Sequence, residues 1–93
     1  MRVRYTPRAR SDLRHISEYI RERNSTAARA VVATTRHTAS SLAGFPYLGR
    51  RTDSDAEVYV LPIGRYPYLI FYRISGQEVS ILHVRHASRE RGW

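Results

Sequence analysis

The stretch Tyr66-Pro67-Tyr68-Leu69-Ile70-Phe71-Tyr72-Arg73-Ile74-Ser75-Gly76-Gln77-Glu78-Val79-Ser80-Ile81-Leu82-His83-Val84-Arg85-His86 decides the fold. Two runs rich in aromatic and β-branched residues flank Ser75-Gly76, a two-residue hairpin signal. Tyr66 to Ile74 is therefore expected as one strand and Gln77 to His86 as its antiparallel return. A Ser75-Gly76 loop pairs Ile74 with Gln77, Arg73 with Glu78, Tyr72 with Val79, Phe71 with Ser80 and Leu69 with Leu82. The Arg73–Glu78 pair supports that register, since opposite charges across strands contribute roughly 0.2–1 kcal/mol. One face then carries Leu69, Phe71, Leu82 and Val84 and is expected to pack on helices. The other carries Tyr66, Tyr68, Tyr72, His83 and Arg85 with Ile70, Val79 and Ile81. Polar and aromatic at its end far from the turn, that second face is the expected open groove.

Working outward, Glu57 to Ile63 reads as a further strand, with Pro62 suited to its end. Gly44, Pro46 and Gly49 make residues 43–56 a loop. Upstream, Ala9, Leu13, Ile16 and Ile20 recur at helical spacing, and Thr6-Pro7 supplies an N-cap and a first helical residue. Arg8, Arg14, Glu18, Arg21 and Glu22 fall off that stripe and are expected in solvent. Asn24 is expected to end this helix in the left-handed conformation, with Ser25 capping the next. Ala28, Val31, Thr35, Thr38 and Leu42 lie on one face of the second helix, so the pair forms an antiparallel helical hairpin. Arg2 to Tyr5 alternates as a short strand. The expected class is α+β: an N-terminal strand, a helical hairpin and a three-stranded antiparallel sheet.

Composition narrows the function. The chain has 93 residues, enough for a single domain over 1–93 and too few for an enzyme with its own cofactor domain. Cysteine is absent, which removes disulfides and thiolate chemistry. No apolar run approaches a membrane span and no signal sequence is visible, so a cytoplasmic protein without membrane contact is expected. The net charge is +8, and all 16 basic residues are arginine. Such a chain seeks an acidic partner, because the guanidinium fork matches carboxylate and phosphate.

The chemistry-bearing residues are few. His83 and His86 are three apart on a strand, so they point to opposite faces; with no cysteine to help, no metal and no cofactor are expected. There is no nucleophile elbow and no phosphate loop. Metal-free RNA cleavage needs a base, an acid and cations around the phosphorane. In the hairpin register His83, Arg85 and Tyr68 share a face, with Arg65 nearby in sequence. The same residues serve equally as partner contacts, since Tyr and Arg are the usual interface anchors. The tail adds His86, Arg89, Arg91 and Trp93 as binding candidates.

Taken together, these motifs resemble the RelE/ParE superfamily of bacterial toxins, in its ParE branch, often called plasmid stabilisation proteins. The matches are Tyr5-Thr6-Pro7-x-Ala9, Phe45-Pro46-x-x-Gly49-Arg50, the strand Tyr66 to Ile74, and Val79-x-Ile81-Leu82-x-Val84-x-His86-x-x-Arg89. The resemblance covers nearly the whole chain. It implies the toxin of a type II toxin–antitoxin pair, non-enzymatic, inhibiting DNA gyrase and blocking replication. It also implies an acidic antitoxin that wraps the toxin and whose other end binds operator DNA, so that DNA contact runs through the antitoxin. RelE-type relatives instead cut mRNA on the ribosome. They carry a central-strand Arg where this chain has Tyr68, and Lys residues this chain lacks. On the ribonuclease alternative His83, Arg85 and Arg89 are the catalytic candidates. A third alternative is an inactive toxin fold that only binds a partner.

Overall fold

The computed structural model describes the backbone of residues 1–90 and the side chains of residues 1–88. In chain order it contains β1 (Arg2–Tyr5), α1 (Pro7–Arg21), α2 (Ser25–Ser41), β2 (Arg50–Arg51), β3 (Val58–Pro62), β4 (Tyr68–Ser75), β5 (Glu78–His86) and a 3-10 turn, Ala87–Glu90. The α+β class stands, with a correction: the sheet has five strands, ordered β1-β5-β4-β3-β2. The helical hairpin lets β1 return parallel to β5, Val3 opposite Val79, so the N-terminal strand forms one sheet edge. At the other edge Arg50 and Arg51, expected in a loop, pair with Val60 and Tyr59.

The helices start as read. Thr6 accepts the Ala9 amide at 3.1 Å, and Pro7 occupies the first turn. Asn24 departs from expectation. Its φ is −160°, which is extended, and its Oδ1 accepts the Ala27 amide at 2.9 Å. It is the N-cap of α2, so Ser25 is the first helical residue. A cap satisfies a free helix N–H, whereas a left-handed Asn would satisfy none. On α2 the buried stripe is Ala28, Val31, Thr35 and Ala39, with Ala39 in the place expected for Thr38.

The hairpin register also differs. Gly76 has φ +60°, and the loop is Gly76-Gln77, which pairs Ser75 with Glu78, Ile74 with Val79, Arg73 with Ser80 and Tyr72 with Ile81. The Arg73–Glu78 pair does not form. Arg73 reaches Asp55 (3.5 Å) and Glu57 (3.9 Å), while Glu78 holds Arg2 (3.1 Å) and Arg4 (3.3 Å) on β1. A parallel neighbour strand supplied a better partner for Glu78 than the hairpin did. The register then slips between Tyr72 and Phe71, so Phe71 faces His83, Ile70 faces Val84 and Tyr68 faces His86. This bulge inserts Leu82 as an extra residue.

The helices cover the face opposite to the one expected. Tyr68, Ile70, Tyr72, Val79, Ile81 and Val84 pack against Ala9, Val31, Ala39 and Leu42 of the helical layer. Val58, Val60 and Phe71, with Leu69 and Leu82 against them, form a second apolar cluster on the opposite face. The face expected to be an open polar groove is the core, because its four innermost residues, Ile70, Tyr72, Val79 and Ile81, are fully buried.

Candidate functional site

β1 ends at Tyr5, but β5 continues, so the edge of β5 beyond Ile81 needs partners for its backbone groups. Thr6 and Asp12 supply them. The Thr6 amide donates to the Ile81 carbonyl at 3.0 Å and its hydroxyl donates to the same oxygen at 2.9 Å. One helical turn on, the Asp12 carboxylate accepts the Val84 amide at 3.1 Å. The same carboxylate takes the Arg8 guanidinium at 3.2 Å and lies 3.7 Å from His83 Nδ1. Asp12 thus docks α1 on the bulged edge of β5.

Beside this junction α1 and the end of β5 enclose a groove of about 660 Å³. Arg8, Asp12, His15 and Tyr19 line it from the helix. Tyr68, Arg85, His86 and Ser88 line it from the sheet, over a floor of Ile16 and Val84. The Tyr68 ring, buried, meets the His86 ring edge-on at 5.3 Å. His86 Nδ1 accepts the Ser88 amide at 3.1 Å, with the Ser88 hydroxyl 2.7 Å away. A neutral His86 therefore carries its proton on Nε2, which makes it a donor toward anything in the groove.

The groove brings together three of the residues singled out from sequence, Tyr68, Arg85 and His86, and separates others. Tyr68 pairs with His86, whereas His83 pairs with Phe71 and Arg85 with Leu69, so the expected trio Tyr68, His83 and Arg85 does not share a sheet face. The bulge at Leu82 is the cause. Arg65 sits in the turn before β4, its guanidinium 5.7 Å from the centre of the Tyr66 ring, and does not line the groove. Arg89 falls in the 3-10 turn, its side chain outside the described residues, and Arg91 and Trp93 lie outside them altogether. Sequence reasoning missed the helix wall. The signal was there: Arg8, Asp12, His15 and Tyr19 recur at spacings of four, three and four, a polar stripe beside the apolar one. Among the described residues no cluster of three or more acidic or histidine side chains is arranged to hold a metal ion.

A second notable feature is the loop 45–48. Phe45, Tyr47 and Leu48 are 70%, 67% and 55% exposed, yet their backbone is tied down. The Phe45 amide donates to Ser41 and the Leu48 amide to Phe45. Tyr47 packs edge-on against Tyr59 at 5.8 Å, and Tyr59 stacks on Tyr72 at 5.4 Å.

The model of the family described as ParE toxin of type II toxin-antitoxin system, parDE, matches residues 3–91. The chain belongs to the ParE toxin family. Toxin RelE2 of Caulobacter vibrioides is 36% identical over 88 residues, covering 94% of this chain and 96% of that protein. Toxin RelE3 of the same organism is 29% identical, covering 96% and 97%. Among solved structures, the chromosomal ParDE TA system from P. aeruginosa matches with a TM-score of 0.80, at 24% identity, over 92% of this chain and 95% of that one. The toxin-antitoxin complex RelBE2 from Mycobacterium tuberculosis gives a TM-score of 0.66, at 26% identity, over 91% and 88%. The ParE fold expected from the motifs is thus the observed one, and it belongs to toxins of toxin–antitoxin systems. No described helix is long and apolar enough to cross a membrane.

Proposed function

We propose that this chain is the toxin of a type II toxin–antitoxin pair, that it acts in the cytoplasm by binding DNA gyrase, and that an acidic antitoxin neutralises it. The observation that supports a binding mechanism over ribonuclease chemistry is the state of the acid–base candidates. His86 spends Nδ1 on the Ser88 amide, and Asp12 is committed to Arg8 and the Val84 amide. His83 stands on a different sheet face from Tyr68. A base aimed at a shared reacting atom, the first requirement of general acid–base cleavage, is not assembled by these groups. Partner binding asks for less: exposed, held side chains and a strong positive field.

The test is a supercoiling assay with purified gyrase and purified toxin. Inhibition with accumulation of cleaved DNA is expected, and untouched supercoiling at excess toxin contradicts the proposal. The ribosome-dependent ribonuclease remains the second reading, supported by the names of the RelE2 and RelE3 relatives and by the gathering of His15, Arg8, Arg85 and His86 at one groove. Programmed ribosomes with cleaved mRNA after toxin addition would favour it.

A further inference from the structure

Among the described residues five large apolar side chains are exposed, and three of them, Phe45, Tyr47 and Leu48, stand in one four-residue loop. Exposed apolar residues scattered singly are ordinary, whereas a contiguous group marks an interaction surface. Covering the core accounts for only one of the three: Tyr47 packs edge-on against Tyr59, which stacks on Tyr72. Phe45 and Leu48 remain mostly in solvent. The loop is nevertheless held in one shape. The Phe45 amide donates to the Ser41 carbonyl at 3.0 Å and the Leu48 amide to the Phe45 carbonyl at 3.1 Å. The Tyr72 hydroxyl bonds to both Pro46 and Gly49, and the N-terminal ammonium donates to the Ala43 carbonyl at 2.9 Å. Fixing this backbone costs conformational entropy, and what it fixes is the display of Phe45 and Leu48 to water. A cationic rim follows at once. Arg50 and Arg51 are both exposed on β2, and Arg51 lies over the Tyr59 ring with its Nε donating to the Tyr59 hydroxyl at 3.3 Å. Of the acidic residues in the next turn, Asp55 and Glu57 are drawn to Arg73, which shares the strand face of Phe71 and not that of Tyr72.

We infer that Phe45 and Leu48, carried on this loop and rimmed by Arg50 and Arg51, are the anchors by which the chain enters an apolar cleft with an acidic rim on its folded protein target, an inference that rests on the toxin reading above. Shape selects the occupant. The exposed side chains project, so the partner supplies the hollow, and a hollow is kept open by a folded protein. An antitoxin segment that folds on binding wraps a surface and brings no preformed hollow. Burial in a bilayer asks for no fixed loop geometry, whereas entry into a cleft gains affinity from one, because the ordering cost is met before binding. A second copy of the chain would set two more guanidiniums against Arg50 and Arg51, and β2, two arginines long, is a poor edge for strand pairing.

The test compares wild type with Phe45→Ala/Leu48→Ala in growth arrest on induction without antitoxin, in inhibition of purified gyrase, and in calorimetry against the purified antitoxin. Both positions are exposed, so the thermal midpoint is expected to match wild type. Growth arrest is expected to be lost, and the toxin concentration that halves supercoiling to rise about tenfold or more. Antitoxin affinity is expected to stay unchanged. If the double variant does not fold, Phe45→Ala and Leu48→Ala are read singly in the same assays. Arg50→Glu is expected to weaken growth arrest and Arg50→Lys to preserve it, and equal arrest by both would overturn the acidic-rimmed partner. A folded double variant that arrests growth like wild type overturns the inference. So does a loss of antitoxin affinity with arrest retained, which would assign the loop to the antitoxin. Co-sedimentation with phosphatidylglycerol vesicles that the same substitutions abolish would overturn it in favour of a membrane surface. If wild type arrests growth without touching supercoiling, the gyrase reading falls and the growth comparison alone decides the loop. A wild-type chain that leaves growth unimpaired defeats the toxin reading and the inference with it.

Discussion

The Tyr72 hydroxyl accepts the Gly49 amide at 2.9 Å and donates to the Pro46 carbonyl at 2.8 Å, so one side chain of the central strand holds both sides of the loop that presents Phe45, Tyr47 and Leu48. The contact is close enough to exclude a side chain. A Cβ on Gly49 would lie 2.6 Å from the Val60 carbonyl oxygen and 2.8 Å from the Tyr72 hydroxyl. Burial raises the Tyr72 pKa above 10.0, opposed by the Gly49 amide.

From this follows a graded stability series. Tyr72→Phe leaves two backbone groups without their partner and is expected to cost about 1–3 kcal/mol. Gly49→Ala is expected to cost about 1–3 kcal/mol by crowding backbone that has little room to move. Gly44, with nothing within 4 Å of its Cβ position, is the control, and Gly44→Ala should stay within about 0.5 kcal/mol of wild type. Thermal unfolding separates them, because about 1 kcal/mol moves the midpoint of a domain this size by roughly 4–8 °C. Equal midpoints for the two glycine variants would refute the loop account.

Asp12→Ala removes the acceptor of the Val84 amide and the partner of Arg8 together. A loss of about 1–3 kcal/mol is expected, chiefly from the stranded amide rather than from the half-exposed ion pair. Amide hydrogen exchange checks it directly: Val84 is expected to lose protection far more than Val79, whose strand neighbour β1 is untouched.

The hairpin teaches where sequence reasoning reaches and where it stops. Element order was legible because each element carries local signals: Thr6-Pro7 at the helix start, the spacing of Ala9 and Leu13, the Gly76 turn. Which face of the sheet meets the helices was not. A two-residue change of register near the turn preserves the faces, and both faces of β4 are apolar, so alternation alone could not choose between Phe71 and Tyr72 as core. The bulge at Leu82 lies on the edge of β5 where Asp12, seventy residues upstream, accepts the Val84 amide, and no window on β5 contains that contact. The groove was half-legible for the same reason. Tyr68, Arg85 and His86 are noticeable in the strand, while Arg8, Asp12 and His15 become part of the site only when α1 is laid beside it.

Glu78 gives the account a pH signature. Hydrogen bonds from Arg4 and then Arg2 hold its carboxyl below 4.5 in the folded chain. A lowered folded-state value means the ionised form favours folding. The contribution is complete above the unfolded-state value and disappears as pH falls through the folded one. Glu78→Gln is therefore expected to be less stable than wild type at pH 7 and to converge with it in acid. A gap that persists undiminished well below pH 4 would mean Glu78 acts through packing.

A chain ended after Ser88 keeps every residue of the two apolar clusters and the Ser88 contacts to His86. It is expected to unfold cooperatively yet to lose growth arrest, as the proposed assignment of Arg89, Arg91 and Trp93 to partner contact requires. Loss of the cooperative transition would instead make the tail structural.

The most direct measurement is induction of the chain in bacteria lacking the antitoxin, with DNA synthesis and bulk protein synthesis followed separately over the first minutes. Gyrase binding predicts that DNA synthesis stops and the SOS response rises while translation continues. Early translation arrest with cleaved mRNA would contradict it, and would make His15, Arg85 and His86 the first residues to substitute.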